Sequence, residues 1–178
     1  MTEPVLVAYA TKYGSTREVA VAIAQTLREH GVETAVRPAR DVHSLERYSA
    51  VVLGAALYMG HWHRDARAFL KRHHKALLDL PVAIFALGPL KTTEEAMQES
   101  RAQLDRALAK FPWLTPVAVS MFGGVIDPAR LRFPFNRMPK GDARDWTAIR
   151  AFADRLVIPL RSARQEIRTQ ESVSSGNR

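Results

Sequence analysis

The chain contains no cysteine, which excludes disulfide scaffolds, thiolate zinc or iron–sulfur sites and thiol nucleophiles. Any redox chemistry must therefore come from a cofactor. Long hydrophobic runs are missing too: the longest nearly apolar stretch, Ala50 to Gly60, is far short of the ~20 residues that cross a bilayer. The start, Thr2-Glu3-Pro4, has no basic leader region, so the expected location is cytoplasmic. Acidic charge is in short supply, with 18 Asp and Glu against 26 Lys and Arg, a formal net charge of +8. The excess is uneven. Residues 1–129 carry 15 basic and 13 acidic side chains, and residues 130–178 carry 11 and 5. A basic C-terminal part attracts phosphate, anionic lipid or an acidic substrate, or else is only a solvated face.

What remains is a chain of globular composition, 47% hydrophobic and 25% charged over 178 residues, which argues against a disordered or fibrous protein. Short apolar runs without helical period alternate with helical spacing. Five strands are predicted, at Val5–Ala10, Glu33–Val36, Ala50–Ala55, Val82–Leu87 and Pro116–Phe122. Helices are predicted from Val19 to Leu27, Trp62 to Leu78, Thr93 to Phe111 (capped by Thr92 or Thr93) and Trp146 to about Ile167, the last kinked or shortened by Pro159. Parallel strands need helix-length crossovers, so the expected fold is an α/β doubly wound parallel sheet with helices on both faces. It should span residues 1–167, with 168–178 a polar, disordered tail.

In such sheets ligands bind beyond the carboxyl ends of the strands. The loop after the first strand reads Thr11-Lys12-Tyr13-Gly14-Ser15-Thr16 and runs directly into a helix. Three hydroxyls, a cation, a glycine and the free N–H groups of a helix start make a phosphate cradle, unless Ser15 or Thr16 is only an N-cap. A P-loop or a dinucleotide fingerprint needs glycines that are absent here. The third strand ends in Gly54-Ala55-Ala56, where a receiver domain would need aspartate.

This loop, with the later segments, resembles the flavodoxin superfamily, whose members bind FMN. More closely, residues 10–20 and Val52-Leu53-Gly54-Ala55-Ala56-Leu57-Tyr58-Met59-Gly60-His61-Trp62-His63 look like the flavodoxin-type, menaquinone-dependent protoporphyrinogen oxidase family. The resemblance covers roughly residues 4–160. It implies a five-stranded sheet of order 2-1-3-4-5, with FMN across the ends of its first, third and fourth strands. Thr11, Gly14, Ser15 and Thr16 match the phosphate loop, where Lys12 and Tyr13 offer main-chain N–H groups. Ala55, Ala56, Leu57, Tyr58, Met59 and Gly60 match the loop on one side of the flavin ring, and Leu87, Gly88, Pro89 and Leu90 the loop on the other. Tyr13 departs from the common flavodoxin pattern, which has Thr there. The region after Asp127 is shorter than in the oxidase family, which carries a longer insert.

Tyr58 and Trp62 are the aromatics nearest this expected pocket, and either can stack on a flavin or serve as packing. His61 is a candidate proton donor beside the ring. With His63, His73 and His74 it also invites a metal reading, but His63 and His74 would lie about 16 Å apart along one helix, and no metal is expected. From Asp127 to Asp145, Arg130, Arg132, Arg137, Lys140 and Arg144 interleave with Leu131, Phe133, Phe135 and Met138. Arg130, Arg132 and Arg137 are candidates for a carboxylated substrate or an anionic membrane surface. The function expected is an FMN-dependent oxidoreductase linking an organic substrate, such as a tetrapyrrole, to a quinone-like acceptor, either free in the cytoplasm or peripheral to the membrane's inner face. The alternative is a flavodoxin-like electron carrier docking on a redox partner protein; nucleic acid is not an expected partner.

Overall fold

The computed structural model describes residues 3–175, with side chains up to residue 162. Five parallel strands, β1 (Val5–Ala10), β2 (Thr34–Pro38), β3 (Ala50–Tyr58), β5 (Val82–Leu87) and β6 (Ala118–Phe122), form a sheet of order β2-β1-β3-β5-β6. Counting these strands alone, that is the expected 2-1-3-4-5. A two-residue strand, β4 (His61–Trp62), folds back antiparallel on the end of β3, pairing Leu57 with Trp62 and Tyr58 with His61.

The central strands are apolar along their whole length because both faces are covered. β5 is buried at all six positions, and β3 from Ala50 to Ala55. On one face, Val19, Ile23 and Leu27 of α1 (Ser15–Glu29) pack with Ile149, Phe152, Leu156 and Leu160 of α5 (Trp146–Ser175) against Val5, Val7, Val52 and Phe85. On the other, Ala66, Phe69 and Leu70 of α2 (Arg64–Arg72), Leu77 of α3 (His74–Leu77) and Leu104 of α4 (Glu94–Leu108) pack against Leu6, Val51, Leu53 and Ile84. Thr93 caps α4, its side chain accepting from the Ala96 N–H at 3.3 Å.

Several expectations are corrected. Trp62 belongs to β4, and the helix expected from there to Leu78 is two, α2 and α3, interrupted at His73 (φ −102°, ψ 16°). Neither Ser15 nor Thr16 caps α1; Gly14 does, with no side-chain cap bond. The final helix passes through Pro159 and continues beyond the expected end near Ile167 to Ser175. Residues 168–175 of the expected disordered tail are thus helical; 176–178 lie outside the described residues. No glycine or proline interrupts the sequence from Leu160 to Ser175, and its Arg, Gln and Glu residues are good helix formers. The Pro- and Arg-rich segment forms turns at Pro128–Arg130 and Phe135–Arg137 inside a small hairpin, β7 (Val125–Ile126) with β8 (Gly141–Asp142).

Candidate functional site

Parallel register brings the carboxyl ends of three strands level, Ala10 beside Ala55 and Ala56 beside Leu87. The loops that follow them therefore meet at one edge of the sheet. They open onto a cleft of ≈ 1110 Å³ whose wall includes Thr11, Lys12, Tyr13 and Ser15, then Ala56 to Met59 and His61, and then Leu87, Gly88 and Leu90. Gly14, Thr16, Ala55, Gly60 and Pro89 are not on that wall. Ala55 and Leu87 are buried in the sheet. The hairpin closes the fourth side with Gly124 to Asp127 and Lys140 to Asp142. It is tied to the loop after β5 by Gly124 N–H, which donates to the Pro89 carbonyl at 2.9 Å.

The first loop is held by its own atoms and by two arginines from the basic segment. Gly14 adopts φ 96°, a left-handed conformation that glycine tolerates best, and its N–H donates to Thr11 Oγ1 at 2.8 Å. Thr11 keeps its hydroxyl proton for another acceptor. Arg130 Nη1 donates to the Tyr13 carbonyl, and Arg144 Nη1 to the Ser15 carbonyl at 3.4 Å. Thr16 is fully buried, yet its Oγ1 has no hydrogen-bond partner. A buried hydroxyl left unpaired costs about 1–3 kcal/mol. At a helix N-terminus whose first N–H groups have no intrahelical acceptor, it fits a bound phosphate.

Tyr58, 54% exposed, stands open at the second loop, whereas Trp62 is 1% exposed and donates its indole N–H to the Ala55 carbonyl at 3.2 Å. Both aromatics weighed for stacking border the cleft, but Tyr58 is the exposed one, whereas Trp62 is buried and tied to the strand end. Met59 (φ 48°) and Gly60 (φ 76°) make the tight turn between β3 and β4. The Lys12 ammonium lies 5.9 Å from the Tyr58 ring centroid.

The four histidines go separate ways. His61 Nδ1 lies 2.9 Å from the Met59 carbonyl, which can only accept, so Nδ1 carries the proton and Nε2 is the free base of the neutral ring. His63 Nδ1 accepts from the Asp65 N–H at 3.1 Å, and burial lowers its pKa below the usual 6.5 despite the Asp65 carboxylate. His73 lies buried against the Val42 carbonyl, and His74 stacks on Trp113 at 4.2 Å. Among the described residues no three His, Asp or Glu side chains form a metal-ligand set.

The cleft is basic, with Lys12, Arg40, Arg64, Arg67, Arg130, Lys140 and Arg144 against Glu18, Asp65, Asp127 and Asp142. Of the three arginines expected to meet a substrate, only Arg130 reaches it; Arg132 and Arg137 do not line it, and Arg137 lies over the Phe133 ring at 5.3 Å. Sequence reasoning missed Arg40, Arg64 and Arg67, which carry no local motif. It also left Arg144 without a role, although an arginine between Asp142 and Asp145 was a signal for ion pairing.

A doubly wound sheet of this order, with a hydroxyl-rich loop at the end of its first strand, defines a flavodoxin-like protein, a class in which FMN binding is a feature of the fold. The chain matches the flavodoxin-domain family over residues 6–138 and belongs to it. It is 27% identical over 134 residues, 72% of each chain, to a protoporphyrinogen IX dehydrogenase (quinone) of Escherichia coli strain K12. A protein of the same name from Leishmania major is 29% identical over 182 residues, covering 87% of this chain and 75% of that one. In fold it is similar to a mutant flavodoxin from Pseudomonas aeruginosa (TM-score 0.59, 14% identity, 89% of this chain and 99% of that one). Oxidised flavodoxin 2 from Bacillus cereus is similar in the same sense (TM-score 0.55, 18% identity, 88% and 97%).

Proposed function

We propose that this protein is an FMN-dependent oxidoreductase that takes electrons or hydride from an organic substrate, a reduced tetrapyrrole, and passes them to a quinone-like acceptor. The observation that carries this reading is the buried, unpartnered Thr16 hydroxyl in the first turn of α1, next in sequence to Ser15 on the wall of a large basic cleft. FMN, when bound, supplies the electron uptake and release that no side chain of a cysteine-free chain offers. Thr11, Ser15 and Thr16, with the first N–H groups of α1, would hold its phosphate, and Lys12 and Tyr13 would add main-chain donors. Tyr58 and the loops at 55–60 and 87–90 would flank its ring. His61, with Nδ1–H committed to the Met59 carbonyl, presents Nε2 as the acceptor for a proton leaving the substrate.

The names of the two relatives support the quinone and the tetrapyrrole. A flavodoxin-like carrier is the second reading, and the basic walls of the cleft disfavour it, because they suit an acidic small molecule. The tip of the basic segment, with Phe133 71% and Phe135 50% exposed beside Arg132 and Arg137, suits an anionic membrane surface, where a quinone would be met. The test is an FMN titration followed in the visible spectrum, then anaerobic turnover of a reduced tetrapyrrole with a quinone. Protein that stays colourless with FMN overturns the whole reading; yellow protein without turnover leaves the carrier.

A further inference from the structure

The carboxylates lining the cleft are already taken. Glu18 and Asp142 pair with Arg144, Asp127 with Arg130 and Asp65 with Arg64. Arg67 has no such partner among the described residues. Its Nε is buried and makes no hydrogen bond, and none of the ion pairs there includes it. The residue as a whole is only partly buried, so its terminal nitrogens stay open to an anion from outside while the enclosed Nε lacks a partner that such an anion would supply.

Its neighbours point the same way. Arg64 precedes it by three residues on α2, on the same helix face. Arg40 lies in the turn Ala39–Asp41, whose backbone is bound to α2 through Arg72 Nη1, a donor to the Arg40 and Val42 carbonyls at 3.3 and 3.1 Å. All three arginines line the cleft, and so does His63, whose ring proton sits on Nε2 because Nδ1 accepts from Asp65 N–H. The loop at 11–16 leads into α1, packed on one face of the sheet, whereas Arg64 and Arg67 ride on α2, packed on the other.

We propose that Arg40, Arg64 and Arg67 form a subsite for a carboxylate of the organic electron donor, with Arg67 as its centre. The planar guanidinium fork matches a carboxylate in a two-point contact that lysine would not make. Arg132 and Arg137, off the cleft, take no part. The subsite's role in orienting the donor rests on the oxidoreductase reading; the anion binding itself does not.

The test is titration of the FMN-supplemented full chain with protoporphyrin IX and, in parallel, with its dimethyl ester, followed by fluorescence. The parent should bind the free acid about tenfold more tightly than the ester. Arg67→Gln should remove most of that preference and leave ester and FMN binding unchanged. Arg40→Gln, at an exposed turn, should weaken the acid several-fold, while Arg132→Gln with Arg137→Gln should not. An unchanged FMN affinity shows that the variants remain folded, and Arg40→Gln decides the case if Arg67→Gln does not fold. A parent that binds acid and ester alike, or fails to bind the acid, overturns the subsite; so does an acid preference that survives Arg67→Gln and Arg40→Gln. Failure of the oxidoreductase reading shows separately, as absence of FMN binding or of quinone-linked turnover.

Discussion

Arg144 reaches back across the chain to Glu18, Nη1 to Oε2 at 2.6 Å, and so ties the β7–β8 hairpin to the first turn of α1. Its other terminal nitrogen bonds Asp142 at 2.6 Å, its plane lies over Trp146 at 4.7 Å, and only 8% of its side chain is exposed. This buried cation therefore anchors the basic segment beside the loop at 11–16, where Arg130 adds a second tie to the Tyr13 carbonyl.

Arg144→Met should lower stability by about 1–2 kcal/mol, less than a buried network would, because both carboxylate partners are about half exposed and screened. The gap between parent and variant should also depend on pH. The Arg144 hydrogen bonds hold the Asp142 carboxyl below its ordinary value of 3.8. That contribution is complete above the ordinary carboxylate range and is lost as pH falls through the depressed value. Urea midpoints should differ clearly at neutral pH and converge in strong acid; a gap that widens in acid would contradict the assignment.

Thr16→Val should leave the stability of the FMN-free protein unchanged or raised, because the hydroxyl it removes has no partner within the protein. FMN affinity should fall by roughly 1–2 kcal/mol, the scale of a hydrogen bond to a charged group. Riboflavin, which lacks the phosphate, should bind both proteins alike. Equal loss for the two ligands would remove Thr16 from the phosphate site.

Tyr58→Ala should shift the spectrum and reduction potential of bound flavin more than it changes affinity, since the ring is half exposed and open to the cleft. Stability should stay within about 0.5 kcal/mol of the parent, as expected for an exposed side chain. A flavin spectrum identical to the parent's would place the ring elsewhere.

His73 gives the fold an acid sensitivity away from the cleft. It is buried, with Nε2 at 3.1 Å from the Val42 carbonyl, and burial lowers its pKa below 6.5, with Arg72 and His43 adding to the effect. The unfolded chain therefore takes up the proton first, and stability falls as pH drops below 6.5 until the lowered value is passed. His73→Gln, which keeps a donor for Val42, should flatten the decline in unfolding midpoint between neutral and mildly acid pH. His63 acts in the same direction, so some slope should remain.

The succession of strands and helices and the polar loop after the first strand are legible in the sequence because their signals are local, whereas the sheet order comes from the family resemblance. A six-residue apolar run such as Val82–Leu87 reads as a strand buried on both faces. Thr11 to Thr16 announce a polar loop at a helix start within a few residues of chain. The residue types after Asp127 likewise announce a basic, aromatic surface, and it is exposed.

Other features have no local signal. The pairs in β4, β7 and β8 are two residues long, too short for any period, and exist only because a neighbouring strand or loop end is present to bond. Arg130 enters the cleft while Arg132 and Arg137 do not, a choice made by turns at Pro128 and Phe135. Trp62 is taken from the surface by its pairing with Leu57 and its indole bond to Ala55. Arg40 and Arg67, far apart in the sequence, reach one cleft because the turn after β2 is bonded to α2. The amino-acid sequence by itself determined the periodicities, the parallel α/β order and the loop chemistry, since these arise between residues close along the chain. Which cations share a wall, and which hydroxyl is left unpaired, only tertiary packing decided, because both follow from contacts between residues far apart in sequence.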